Sequence, residues 1–529
     1  MSTPRTDAPT PLPGAEPAFA PRLALSVPRD SRAVLEICPA GTSIAARVKS
    51  ANPAIRFAIV GLAPGASSAP ELAAHLGPPR PLFDCLVVHD AVLALADPFG
   101  AIATARSYLT PGGTALIVVP RPWGEKEGMK AGTIPMDRIQ DALAGRCGLF
   151  LDNAVVVPPP GPNPNATGQA RGADFSHLIV RAVPANRPLQ RFLIQAMTLR
   201  PVGACNDTRI HLPHAFLASI PGVRVQASVD HIPRQADAPP NEHRIAVLQR
   251  RICKPADLPQ LRRILQQGYL IVAEFDDHPS HWPEITEYDN LTFRAVHAVQ
   301  TSTDFLAGEL RPFNDEIGVF PNQIATLPPP RQPRADGRVT LFFGAFNRDE
   351  DWRPLIAPLN RIIAANQGRV DVQVIHDRAF FDALETADKT FTPTCGYKDY
   401  IQILSRCDIG LLPLNDTLFN RCKSDLKFIE CAAHGVVALA SPIVYGGVVA
   451  DGETGFLFRT PEEFSDRLTQ LVGDHGLRAA IAGRAYDYIA RNRLLAQHFR
   501  KRLDWYRSLL DRKAELDARL FARVPAVRP

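Results

Sequence analysis

Paired cysteine spacing, long apolar runs and a strong excess of one charge are all missing. Nine cysteines are scattered over 529 residues. That argues against a disulfide framework or a zinc site and favours a reducing compartment. No run reaches the roughly 18 apolar residues that a membrane-spanning helix needs. The opening stretch, MSTPRTDAPTPLPGAEPAFAPRLALSVPRD, has no sustained apolar core, so no signal peptide is expected. Net charge is only +5. With no Arg-rich arm and no RNA-binding aromatic motif, nucleic acid is not an expected partner. No solenoid repeat is visible. These absences point to a soluble, cytoplasmic, multidomain protein.

What is present suits globular α/β domains. Hydrophobic residues make up 46% and charged residues 21%, enough to build ordinary cores. At roughly 100–200 residues per domain, the length suggests three or four domains. Residues 1–30 are rich in Pro and Ala and are expected to be disordered. Further Pro-rich stretches lie near 156–175 and 327–338. They punctuate the chain into expected domains at 31–185, 190–332 and 338–520. In each, short aliphatic runs alternate with amphipathic stretches: AVLEIC, RFAIVGL, FDCLVVHD and GTALIVVP, then RIAVLQR and YLIVAEF, then VTLFFGAF, VDVQVIHD, CDIGLLPL and GVVALAS. Strands separated by helix-sized segments predict parallel sheets, which bind ligands at their carboxyl ends.

The most informative stretch is KSDLKFIECAAHGVVALASP, residues 423–442. Ser424 is placed to cap a helix, and Asp425 would sit in its first turn. Leu426, Ile429 and Ala433 share one face, to pack on a sheet. Lys427 and Glu430, spaced i, i+3, share another. Gly435 suits a left-handed helix ending. The next strand runs to Ser441 and into PIVYGG, where Gly446 and Gly447 would let a ligand approach the backbone.

This pattern, continued through Asp451, Gly452 and Gly455, resembles the nucleotide-sugar site of GT-B glycosyltransferases, in particular the large retaining group called family 4. The resemblance implies two doubly wound Rossmann-like domains facing each other across a cleft. It assigns the ribose hydroxyls to Glu430 and basic help to Lys427. It turns the helix start at Ser424 towards phosphate, and adds Tyr445, Gly446 and Gly447 to the donor loop. An earlier family glutamate falls on Cys422, which leaves the donor sugar open. The family's Gly-Arg…Lys-Gly signature is replaced by GAFNRDEDWR. There Gly344 and Arg348 take the glycine and diphosphate-binding roles, and Arg353 or Lys423 stands in for the lysine. Arg348 and Lys427 are the expected catalytic residues, stabilising charge on the leaving diphosphate.

The preceding segment then becomes the acceptor half, with Thr208, Arg209 and His214 near the cleft. The strand end EFDDH contributes Asp276, Asp277 and His278. The phrase V-x-P-N, containing Asn322, matches the family's last unit before the linker. No metal is expected, because enzymes of this group use Lys, Arg and a helix dipole in its place. The resemblance also implies that the leaving phosphate accepts the acceptor's proton. The last helical stretch is basic and would suit either solvent or an anionic membrane surface.

The first segment resembles class I S-adenosylmethionine-dependent methyltransferases over most of 31–155. Its cofactor contacts are missing. Cys38, Pro39 and Ala40 stand where a glycine-rich turn belongs, with only Gly41 left, and Gly61 stands where an acid should hold the ribose. Binding of S-adenosylmethionine is therefore not expected, and the domain reads as a degenerate one serving assembly or acceptor recognition. The expected activity is transfer of a sugar from a UDP- or GDP-linked donor to a glycan or lipid-linked glycan, in surface polysaccharide assembly, with no cofactor required. The location is cytoplasmic, or peripheral at the inner face of the plasma membrane. Two alternatives remain: a glycan methyltransferase using the rest of the chain as scaffold, and a non-catalytic assembly protein.

Overall fold

The aliphatic runs form three six-stranded sheets. The structure, a computed structural model, describes residues 17–63, 72–78, 80–120, 136–157, 176–200, 205–232, 241–331, 337–346 and 348–529. The start of the expected tail, residues 1–16, and residues 158–175 and 332–336 of the Pro-rich stretches lie outside these. The chain divides into two compact units, residues 1–192 with 215–224, and residues 193–214 with 225–529.

In the first unit the strands are β1 (Ala33–Pro39), β2 (Arg56–Leu62), β3 (Phe83–Val88), β4 (Leu109–Pro120), β5 (Leu149–Val157) and β6 (His177–Pro184). Their order is β2-β1-β3-β4-β6-β5. Strands β2, β1, β3 and β4 are parallel, while β6 runs antiparallel to both β4 and β5. Residues 17–30 are not the disordered tail that their Pro and Ala content suggested. A helix at Ala20–Ser26 buries Leu23 and Ala24, and Phe19 and Val27 flank it inside the same core. Apolar residues spaced along one face outweighed composition. The Pro-Gly-Gly turn is an irregularity within β4, where the register to β3 shifts between Phe83 and Cys85.

The second unit holds two sheets. One comprises β7 (Arg191–Thr198), β8 (Val223–Val229), β9 (Glu242–Gln249), β10 (Leu270–Glu274), β11 (Ala298–Thr301) and β12 (Ile317–Val319), in the order β12-β11-β10-β9-β7-β8. The other comprises β13 (Val339–Gly344), β14 (Val370–Ile375), β15 (Lys389–Thr392), β16 (Ile409–Leu412), β17 (Val437–Ala440) and β18 (Phe456–Leu457), in the order β15-β14-β13-β16-β17-β18. All five pairings of that last sheet are parallel. Strands β10, β13, β16 and β17 are buried along their whole length, which explains their largely apolar sequences.

Strand order reverses between β13 and β16, and again between β7 and β9. Side chains and loops at such a reversal splay apart and leave a crevice at the carboxyl ends. The helix Leu426–Ala433 leads into β17, and its end is set by Gly435 at φ +70°. A Cβ there would lie 2.9 Å from the Arg331 Cβ. Gly435→Ala therefore combines left-handed strain with a clash, and is expected to destabilise the second unit by about 1–2 kcal/mol. Thermal unfolding of the two proteins checks this; an unchanged midpoint would contradict it.

Candidate functional site

The two reversals meet in one cavity of about 660 Å³ within the second unit. Gly344, Ala345 and Phe346 enter it after β13, His376 after β14, and Leu412–Leu414 after β16. Arg250 enters after β9, and Asp276 and Asp277 after β10. The helix Leu426–Ala433 contributes Leu426, Lys427 and Glu430.

Glu430 is only 1% exposed, and its Oε1 has no hydrogen-bond partner. Burial pushes its pKa from the ordinary 4.5 to about 7, against the opposing pull of Lys427 and of the Tyr397 and Tyr400 hydroxyls. Lys427 donates to the Gly344 carbonyl and lies over the Tyr400 ring. Arg348 donates to Asp351 Oδ2 at 3.1 Å and to Asn420 Oδ1 at 2.5 Å. Ser424 also lines the cavity, but it does not cap the helix. The cap position belongs to Asp425, which makes no capping bond there, and the Ser424 Oγ instead accepts from Asn322 Nδ2 at 2.8 Å. Asp425 is ion-paired with Arg493 at 2.5 Å. Competition from these partners moved the helix start one residue on.

Tyr445 lines the cavity and is buried. Gly446 and Gly447 are not in its lining. Gly446 closes the short helix Pro442–Tyr445 in right-handed geometry, so the expected open glycine loop is a helical turn. Of the two stand-ins for the missing lysine, Arg353 is exposed and pairs with Asp349 and Glu350. Lys423 lines the cavity and donates to Asp277.

On the acceptor side, Arg250 bridges Asp276 at 2.6 Å and Asp277 at 2.9 Å. Burial alone would raise Asp276, yet Arg250, with Arg209 and Lys423, holds it below the ordinary carboxylate value. His278 turns away, bonding Ser280 Oγ at 2.7 Å, and its neighbour His281 lines the cavity instead. His214 lines neither large cavity. It is 3% exposed with both ring nitrogens unpartnered, and burial, then Arg502 and His211, lower its pKa to about 3. Its place on an apolar helix face explains why it lies in the core. Arg209 is 1% exposed and pairs with Glu274 at 2.7 Å, lining a second cavity rather than this one.

Several lining residues escaped the sequence reading: Arg250, His281, His376, Tyr397 and Tyr400. His376 has φ +77° and stacks on Phe346 with ring centroids 3.9 Å apart. A histidine directly after the strand VDVQVI was the available signal.

In the first unit, Glu36 at the reversal between β1 and β3 accepts from Ser43 Oγ at 2.6 Å, Ile44 N at 2.9 Å and His89 Nε2 at 2.8 Å. Glu36, Cys38 and His89 have ligand-type atoms within 4.8 Å of one another. Burial pushes the Cys38 thiol up to about 12. Both carboxylate oxygens are engaged in hydrogen bonds within the protein.

Residues 359–506 match the family described as "Glycosyl transferase-like". No curated protein matched the sequence. Among solved structures, the chain is similar to S. aureus TarM in complex with UDP and α-GlcNAc-glycerol, at 12% identity and TM-score 0.39, over 50% of this chain and 55% of that one. It therefore spans about half the length of TarM. It is also similar to WaaG, a glycosyltransferase involved in lipopolysaccharide biosynthesis, at 14% identity and TM-score 0.42, over 59% of this chain and 98% of that one. Anabaena HepE, in complex with UDP and glucose, matches at 14% identity and TM-score 0.43, over 60% and 99%.

Glu430→Gln tests the burial of the carboxylate. Because the folded pKa of about 7 lies above the ordinary 4.5, the unfolded chain releases this proton first, and the group's contribution falls as pH rises between those values. The wild type is expected to lose up to about 3 kcal/mol relative to the variant between pH 4 and pH 8. Chemical denaturation at both pH values measures it. An equal difference at both would show that Glu430 ionises normally.

Proposed function

We propose, from the premise that residues 359–506 are glycosyl transferase-like, that the protein transfers a sugar from a nucleotide-diphospho-sugar to a glycan or lipid-linked glycan. The carrying observation is the unpartnered Oε1 of buried Glu430 beside Lys427, Lys423 and Arg348 in one cavity. A carboxylate in that position accepts from a ribose diol, whose hydroxyls supply the missing donors. Three cations near it suit a diphosphate whose charge grows as the glycosidic bond breaks. The volume is in the range of ordinary ligand sites.

In the mechanism that this reading implies, Glu430 fixes the nucleoside, and Arg348 and Lys427 stabilise the leaving diphosphate. Lys423 turns from Asp277 towards phosphate. Asp276 and Asp277 are both ion-paired, and Asp276, held below the ordinary carboxylate value by Arg250, Arg209 and Lys423, is a poor proton acceptor. That favours a retaining course in which the leaving phosphate takes the acceptor's proton. The side chains present supply the charge stabilisation, so the reaction is read as needing no metal or other cofactor. The donor sugar is linked to UDP or GDP, and the setting is surface polysaccharide assembly.

The first unit is read as serving assembly or acceptor recognition without S-adenosylmethionine. Glu36, at the reversal where that cofactor's family binds it, is committed to Ser43, Ile44 and His89. Among the described residues no helix is long and apolar enough to cross a membrane. A cytoplasmic protein touching the membrane peripherally fits the basic last helices.

Calorimetry with UDP-glucose and GDP-mannose tests the reading. One of them is expected to bind, more tightly at pH 8 than at pH 6 as Glu430 ionises. Glu430→Ala should weaken binding about tenfold or more and abolish the pH effect. Arg348→Ala should cut donor turnover about 10²–10³-fold. Unchanged nucleotide affinity in Glu430→Ala would remove the assignment.

A further inference from the structure

A second cavity in the same unit, about 900 Å³ in volume, shares Thr208 and Lys423 with the first. Its charges are unevenly matched. Arg421 is paired with Asp416 and Arg493 with Asp425, and Asp304 is the remaining acid of the lining. Deeper in the wall, Arg209 and Arg502 approach opposite oxygens of one carboxylate. Arg209 Nε lies 2.7 Å from Glu274 Oε1, and Arg502 Nη1 lies 3.6 Å from Glu274 Oε2. Exposures are 1% for Arg209, 5% for Arg502 and 0% for Glu274. Gln300 also donates to Glu274 Oε2, at 2.6 Å. Two guanidiniums on one buried carboxylate leave one positive charge over.

Donors in the same lining residues are left over as well. Arg209 Nη2, Arg502 Nη1 and Ser302 Oγ are buried without hydrogen-bond partners. An unmatched buried donor costs free energy unless something accepts from it. Three such groups lining one cavity, around a surplus positive charge, make a site for an oxyanion. Exposed Lys501 and half-buried His498 stand further along the lining. The remaining walls are largely apolar, with Phe305, Phe320 and Phe499 among them.

We propose that this cavity binds a phosphate ester, with its oxyanion towards Arg209, Ser302 and Arg502 and its organic part along the apolar wall. Its use as the acceptor's phosphate site rests on the transferase reading; the anion site itself does not. The phosphate ester is carried either by a soluble phosphorylated molecule or by a lipid headgroup.

The full chain is titrated with glycerol 3-phosphate, and separately with phosphatidylcholine vesicles containing phosphatidic acid, against phosphatidylcholine alone. Saturable binding is expected in one arm; the first arm identifies a soluble ligand and the second a lipid. Ser302→Ala and Arg502→Gln are expected to weaken that binding about tenfold or more. Stabilisation by whichever of UDP and GDP binds the wild type, kept in both variants, reports that they fold. Ser302→Ala carries the test if Arg502→Gln unfolds. Overturning results are no saturable binding by the wild type in either arm, wild-type affinity in Ser302→Ala, or loss of phosphate-ester binding in Glu430→Ala, which would move the ligand to the first cavity. Failure of both UDP and GDP to bind the wild type, with phosphate-ester binding intact, removes the transferase reading and leaves the anion site. Folding is then followed by circular dichroism.

Discussion

Lys423 donates to Asp277, and Arg250 bridges Asp277 and Asp276. In this four-residue group Arg250, Asp276 and Asp277 follow the carboxyl ends of the parallel strands β9 and β10, and Lys423 reaches them from between the helices Leu418–Arg421 and Leu426–Ala433. Parallel topology sends the carboxyl ends of neighbouring strands the same way, so their polar loops gather on one side. The charges collected there are partly out of water, and each must be matched or it destabilises the fold. The same demand explains Arg493 on Asp425 at 2.5 Å and Arg209 on Glu274 at 2.7 Å. Of these pairs, Lys423 on Asp277 joins the second unit's two sheet layers, through side chains that a ligand could also use.

Glu430 is the exception to that matching. Its burial costs more than Lys427 returns, which is why its pKa rises to about 7. A carboxylate poised near neutrality is unusual in a structural role and common at binding sites. Tyr397 and Tyr400 are pushed above the ordinary phenol range by burial and then by the Glu430 charge. They therefore remain hydroxyl donors and fix the carboxylate's orientation. The strain of ionising Glu430 is relieved only when further donors arrive, so ligand binding and ionisation are coupled.

Much of the sheet architecture was legible because buried parallel strands are written as unbroken aliphatic runs. VTLFFG and VALA, within the runs read as strands, are β13 and β17. Strands β5 and β15 are among those not read. LFLDNAVVV has charged and amide residues in its middle, and KTFT is short and half-exposed. Local spacing placed Lys427 and Glu430 on one helix. It could not show Arg250, His281 or Tyr397 beside them, because Arg250 and His281 come 146–180 residues earlier and Tyr397 opens a separate helix, Tyr397–Leu404. His214 failed for the opposite reason. It was expected near the cleft, yet Ile210 and Leu217, about one helical turn before and after it on the same face, are fully buried and mark that face as a core face.

The helix start at residues 424–426 shows why side chains, more than the backbone dipole, must carry the electrostatics. Ser424 is already bonded by Asn322, and Asp425 is held by Arg493 with its negative charge at the dipole's positive end. That carboxylate partly cancels the field that an incoming phosphate would feel. The positive potential then comes from Arg348, Lys423 and Lys427. Each has a protein partner in this structure: Asp351 and Asn420, Asp277, and the Gly344 carbonyl. A diphosphate would compete with those partners for donors already in position. Exchange of one acceptor for another leaves the cations hydrogen-bonded throughout, so the cavity holds its charge in place before any ligand enters.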